Sequence, residues 1–150
     1  MPVFEVVTQV LAARRRVFEA SLSVEVHTSS MSRSAERAVG GVTSGRMGPG
    51  DQVTWRARHF GIPWRMTSVI SAYEAPGFFV DEQVAGPFRR WRHEHHFVDD
   101  DGGGTLMRDL IDFTAPAGVV GTVAEVLVLR RYMTHLIVLR NRHIKAVTEA

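Results

Sequence analysis

Between Gln52 and Phe113 apolar and polar residues largely alternate, and beyond Val120 the apolar positions recur every three or four residues. The first pattern belongs to strands and the second to an amphipathic helix. Side chains alternate faces along a strand but return to one face of a helix about every 3.6 residues. The pattern predicts a strand over Phe4–Leu11, a short helix over Ala12–Ser21, and a second over Leu22–Met31 with serines available as caps. The paired glycines Gly40 and Gly41 predict a bent or bulged strand within Glu36–Arg46. After a turn at Met47–Asp51, strands are predicted over Gln52–Phe60, Trp64–Tyr73 and Phe78–Val84, with turns at Gly61–Pro63 and Glu74–Gly77.

A long hairpin closes this run. Its first arm places Trp91, His93, His95 and Phe97 on one face, and its second places Met107, Asp109, Ile111 and Phe113 on one face. The acidic, glycine-rich stretch Asp99–Gly104 joins them as a loop of several residues. Thr114–Gly118 then separates the last strand from a helix over about Val120–Val147. Val123, Val126, Leu127, Met133, Leu136, Ile137 and Ile144 give that helix its apolar stripe. A strand, two short helices, consecutive strands and one long helix define an α+β fold.

The 150-residue length fits a single domain spanning residues 1–150, and the 45% hydrophobic and 23% charged composition is that of an ordinary globular chain. A net charge of +2 gives no basic tract for nucleic acid. The absence of cysteine excludes disulfides, thiolate metal sites and cysteine nucleophiles, and fits a cytoplasmic protein. The N-terminal residues show no signal-peptide pattern. The apolar stretch Val119–Leu139 is interrupted by Glu125, Arg130, Arg131 and His135, so no membrane insertion is expected. The arginines Arg14, Arg15 and Arg16 read as a solvated helix face rather than a phosphate cluster.

Polar groups on an apolar sheet face cost free energy unless they are paired, so His93, His95 and Asp109 require an explanation. Three readings are open. The carboxylate and imidazoles can form a buried hydrogen-bond network, or they can orient or activate the polar end of a ligand, one imidazole acting as a general base. They can also form a two-histidine, one-carboxylate metal face, with His96 pointing away. No metal and no cofactor is expected. Trp55, His59, Trp64, Met66, Phe79, Trp91, Met107, Ile111, Phe113, Leu127 and Met133 are the candidate ligand-lining residues, each competing with a role as ordinary core. The chain contains no Gly-x-Ser-x-Gly elbow, phosphate loop, dinucleotide fingerprint or His-Glu-x-x-His.

Several short words appear in a specific order. They are Gly41-x-x-Ser44-Gly45, Gly50-Asp51-x-Val53-Thr54-Trp55, His59-Phe60-Gly61-x-Pro63-Trp64, Phe79-x-Asp81-Glu82 and Gly86-Pro87-Phe88. Trp91-x-His93-x-His95-x-Phe97, Gly104-Thr105-x-Met107-x-Asp109 and Pro116-x-Gly118 complete the set. Together they resemble the SRPBCC, or START-like, superfamily, and most closely its bacterial single-domain ligand-binding members. That resemblance implies a helix-grip fold, a curved antiparallel sheet wrapped around a long C-terminal helix, with an apolar cavity between them. It implies binding of a small hydrophobic, lipid-like or aromatic molecule; the sequence leaves monomer and homodimer both open. The alternatives are a polyketide cyclase/dehydrase-like enzyme using His93 or His95 oriented by Asp109, and an interaction module with a filled cavity.

Overall fold

The computed structural model describes residues 3–115 and 123–150, with side chains in the last helix described from residue 127. The strands are β1 (Val3–Val10), β2 (Arg37–Gly41), β3 (Gln52–His59), β4 (Ile62–Glu74), β5 (Phe78–Ala85), β6 (Arg90–Asp99) and β7 (Thr105–Thr114). The helices are α1 (Arg14–Ser21), α2 (Val24–Ser30) and α3 (Val123–Glu149), with a short 3-10 turn at Ser32–Ser34. The strands form one antiparallel sheet in the order β1-β7-β6-β5-β4-β3-β2. Every sequential pair from β2 to β7 is adjacent, and β1 returns to pair with β7. The helix α3 packs against β1, α1 and α2. Among the described residues no helix is long and apolar enough to cross a membrane.

The local chemistry explains where elements stop. Ser23 ends the first helical stretch and caps the second, its hydroxyl accepting the Val26 N–H at 3.2 Å. Such a cap contributes about 1 kcal/mol. The strand predicted to reach Arg46 ends at Gly41. The register slips between Ala38 and Gly40, and Gly41 has φ of 67°. A Cβ at Gly41 would collide with the Gln52 carbonyl, so only glycine fits that bulge. The predicted turn at Gly61–Pro63 is instead the two-residue Phe60-Gly61 turn, and Pro63 lies within β4 opposite Arg58. Pro63 is the second residue of that strand, near the end where proline is tolerated. The separator at Thr114–Gly118 and the start of the last helix at Val120 fall largely outside the described residues. The side chains of Val123 and Val126 do so as well.

The register of the long hairpin sets the two predicted faces opposite one another: Trp91 faces Phe113, His93 faces Ile111, His95 faces Asp109 and Phe97 faces Met107. The core they help to build is divided. One apolar cluster contains Val10, Phe18, Phe79, Phe97, Met107 and Ile144. The other contains Phe4, Phe88, Ile111, Phe113, Leu129, Met133 and Ile137. Along β6, β7 and α3 alike, polar residues lie between the two: His93 and His95, Asp109, and Arg140 with Asn141. A buried polar belt therefore crosses the molecule from sheet to helix.

Candidate functional site

A cavity of about 170 Å³ lies between α3 and the inner face of the β3–β6 half of the sheet. Of the candidate ligand-lining residues, Trp55, His59, Trp64, Met66, Phe79, Trp91 and Met133 are on its wall, together with His93 and His95. Four other predicted residues are placed elsewhere. Met107, Ile111 and Phe113 are fully buried within the two apolar clusters, because the inner face of β7 is filled by direct packing. Leu127 is 51% exposed and points to solvent. Val126 to Leu129 is apolar at every position, so spacing alone could not phase the helix there; the inward stripe runs through Leu129, Met133 and Ile137.

The polar belt forms one wall of the cavity. His93 Nε2 donates to Asp109 Oδ1 at 2.7 Å, and Asn141 Nδ2 donates to Asp109 Oδ2 at the same distance. Arg140 Nη1 donates to Asp109 Oδ1 at 3.2 Å, and its Nη2 lies 3.1 Å from His95 Nδ1. Guanidinium can only donate, so His95 Nδ1 is an acceptor and its proton sits on Nε2. That Nε2 donates to Asp81 Oδ2 at 2.6 Å. His95 is thus a neutral relay between a cation and a carboxylate. Its ring is stacked between Phe79, at 4.0 Å between centroids, and His93, at 3.7 Å.

The electrostatics follow from burial and these partners. Burial, followed by the neighbouring His93, pushes His95 down to about 3, against the opposing pull of Asp81. Burial opposes ionisation of Asp81, but the His95 hydrogen bond and the neighbouring His93 and Arg140 outweigh it and lower it to about 2. Burial likewise works against the Asp109 carboxylate, which the His93 hydrogen bond and Arg140 nevertheless hold well below the usual range. Both carboxylates are therefore ionised at neutral pH.

Asp81, His93 and His95 bring one ligand atom each within 4.8 Å of one another, a grouping with Asp81 in place of the predicted Asp109. The set fits a metal cation poorly. Arg140 already occupies His95 Nδ1, and its charge lies against the same cluster.

Spacing left Asp81, Arg140 and Asn141 unassigned to the site. A signal for Arg140 was present: it falls on the inward stripe Met133, Ile137, Arg140, Ile144, where a charge is out of place. Asp81 stands on the same face as Phe79 in β5, the strand next to the histidines, and pairs with His93.

At the cavity's other end the β3–β4 turn meets α3. His59 Nδ1 and the Tyr132 hydroxyl are hydrogen-bonded at 2.7 Å, and Trp64 Nε1 donates to the His59 carbonyl at 3.2 Å. Burial lowers the His59 pKa, with the charge of Glu36 opposing. Phe60 has φ of 55°, a left-handed conformation costly for a bulky residue, yet it is exposed and rests on Tyr132 at 4.5 Å. Phe60→Asn is expected to raise thermal stability, because asparagine tolerates this conformation and relieves ~1 kcal/mol of strain. A fall in the unfolding midpoint would mean that the Phe60–Tyr132 contact outweighs the strain.

A curved antiparallel sheet gripping a long C-terminal helix, with two short helices after the first strand, is the helix-grip, START-like fold. Solved structures share it over nearly their whole length. An aromatase/cyclase, Zhui from Streptomyces sp. R1128, superposes with a TM-score of 0.79 at 16% identity, covering 99% of this chain and 93% of that one. A START superfamily protein from Mycobacterium smegmatis gives 0.74 at 11% identity, covering 98% and 97%. The ginseng major latex-like protein 151 from Panax ginseng gives 0.67 at 16% identity, covering 99% and 98%. No protein-family model and no curated protein sequence matches the chain. At these identities the likeness establishes the fold and leaves the activity to be argued from the site.

Proposed function

We propose that the protein binds a small hydrophobic molecule in this cavity, with the polar end of the molecule against the belt of Asp81, His93, His95 and Arg140. The observation that carries this reading is a mostly apolar cavity with Asp81, His93, His95 and Arg140 grouped at one wall. An interaction module would more naturally have a filled core there. Native mass spectrometry of freshly purified protein, followed by denaturing extraction, tests the reading. A discrete organic adduct, whose addition back raises the unfolding temperature, is the expected result. A clean apo mass, with no stabilisation by any apolar compound in a broad panel, would overturn it.

One arrangement favours a second reading, a cyclase-like enzyme. Asp109 holds His93 through Nε2, while His93 Nδ1 faces the cavity and is 3.8 Å from Asp81, beyond hydrogen-bond reach. An imidazole so oriented can take a proton from a ketone's α-carbon. His95 cannot serve in this way, since both its nitrogens are engaged. Exchange of the α-protons of 2-tetralone into heavy water, followed by NMR, separates the readings. Catalysed exchange that is lost in His93→Gln but kept in His95→Gln supports an enzyme; exchange at the buffer rate in all three proteins supports a binder.

A further inference from the structure

Asp81 differs from the rest of the polar belt in one respect. Its side chain retains 22% exposure, against 5% for His93, 3% for His95 and 0% for Asp109. Both imidazoles address its Oδ2: His95 Nε2 at 2.6 Å and His93 Nδ1 at 3.8 Å. Its Oδ1 makes no hydrogen bond among the described residues and is not sealed from space, and Asp81 lines the cavity. An ionised carboxylate oxygen is an acceptor only, so this wall offers the interior a vacant, charged acceptor.

The remaining charges add to that polarity. Among the described residues the charged side chains on the cavity wall are Glu36, Asp81 and Arg140. Arg140 directs Nη1 and Nη2 to Asp109, Asn141 and His95, within the belt, and only its Nε is without a hydrogen bond among the described residues. Glu36 accepts from His27 at 2.6 Å and places a second carboxylate on the wall. An occupant ending in a carboxylate would bring a further negative charge beside ionised Asp81, where the guanidinium of Arg140 is already paired with Asp109.

We infer that the occupant carries a hydrogen-bond donor, a hydroxyl or a protonated amine, that docks on Asp81 Oδ1, and that the cavity discriminates against carboxylate-ended molecules such as fatty acids. The inference rests on the ligand-binding reading above and deepens it. Charge-assisted hydrogen bonds to a desolvated carboxylate are among the stronger polar contacts, so the preference is large enough to measure.

Calorimetric titration with two scaffolds, naphthalene and a straight decyl chain, tests it. Each scaffold is used with four ends: hydroxyl, ammonium, methyl ether and carboxylate. The methyl ether is the control that keeps the oxygen and removes the donor. On at least one scaffold, the hydroxyl or ammonium form is expected to bind about tenfold or more tightly than both the ether and the carboxylate. In Asp81→Asn, which keeps the shape and removes the charge, the ammonium form is expected to lose about tenfold while the ether is unchanged. The ligand series on the wild-type protein stands alone if that variant misfolds. Ether binding as tight as hydroxyl and ammonium binding, or a preference for the carboxylate, would overturn the inference and leave the binding reading intact. No binding by any of the eight compounds would overturn the inference, and the binding reading falls with it if native mass spectrometry also gives a clean apo mass and the broad panel gives no stabilisation.

Discussion

Asp109→Ala is expected to cost about 3–5 kcal/mol, enough to unfold much of the population of a domain with an ordinary stability of ~5–15 kcal/mol. Asp109 is fully buried and accepts from three donors, His93, Arg140 and Asn141. Removing it strands a guanidinium that is itself buried and that has no other ion-pair partner among the described residues. The double variant Asp109→Leu, Arg140→Met removes both charges and fills the space, so it should be more stable than Asp109→Ala. Urea unfolding of the wild type, Asp109→Leu, Arg140→Met and the double variant measures the coupling, with Asp109→Ala alongside. A loss below ~1 kcal/mol for Asp109→Ala would mean that the belt contributes little to holding sheet and helix together.

Acid should weaken the protein well before its carboxylates titrate. His95 is held neutral in the folded state to about 3, whereas in the unfolded chain it takes a proton near 6.5. Between those values the unfolded state binds the extra proton, so stability is full above about 6.5 and falls as the pH drops toward 3. At ~1.4 kcal/mol per pH unit for one proton, the loss reaches a few kcal/mol. The lowered pKa of His59 acts in the same direction. Asp81, lowered from 3.8 to about 2, adds a further loss only below about 4, as does Asp109. The unfolding free energy should therefore stay level from pH 8 to about 6.5 and decline from there to pH 4 with a slope of about one proton from His95. His95→Gln should flatten it, because an amide can donate to Asp81 and accept from Arg140 without titrating. An unchanged slope in that variant would assign the acid sensitivity to other groups.

Much of this architecture was legible because it depends on local periodicity. Alternation placed Trp91, His93, His95 and Phe97 on one face, and the register sets them against Phe113, Ile111, Asp109 and Met107. Less legible was the rest of the belt, because its bonds join strands and a helix far apart in sequence. Face sharing leaves open whether Asp109 orients His93 or His95; it takes His93, while His95 gives its proton to Asp81 and receives Arg140 from the helix. Sequence spacing does not reveal where α3 seats on the sheet. Met107, Ile111 and Phe113 were consequently read as cavity wall, although they lie on the half of the sheet that is packed solid. Leu127 was misplaced because an unbroken apolar run carries no phase.

The chain has three tryptophans, Trp55, Trp64 and Trp91, and all three lie on the wall of the same cavity. Indole emission from this protein is consequently a report on one small chamber rather than an average over the molecule. Excitation of tryptophan turns the native protein into its own label: displacement of solvent by an occupant changes the surroundings of every emitter at once, and neither a dye nor an engineered reporter is needed to follow filling and emptying in real time.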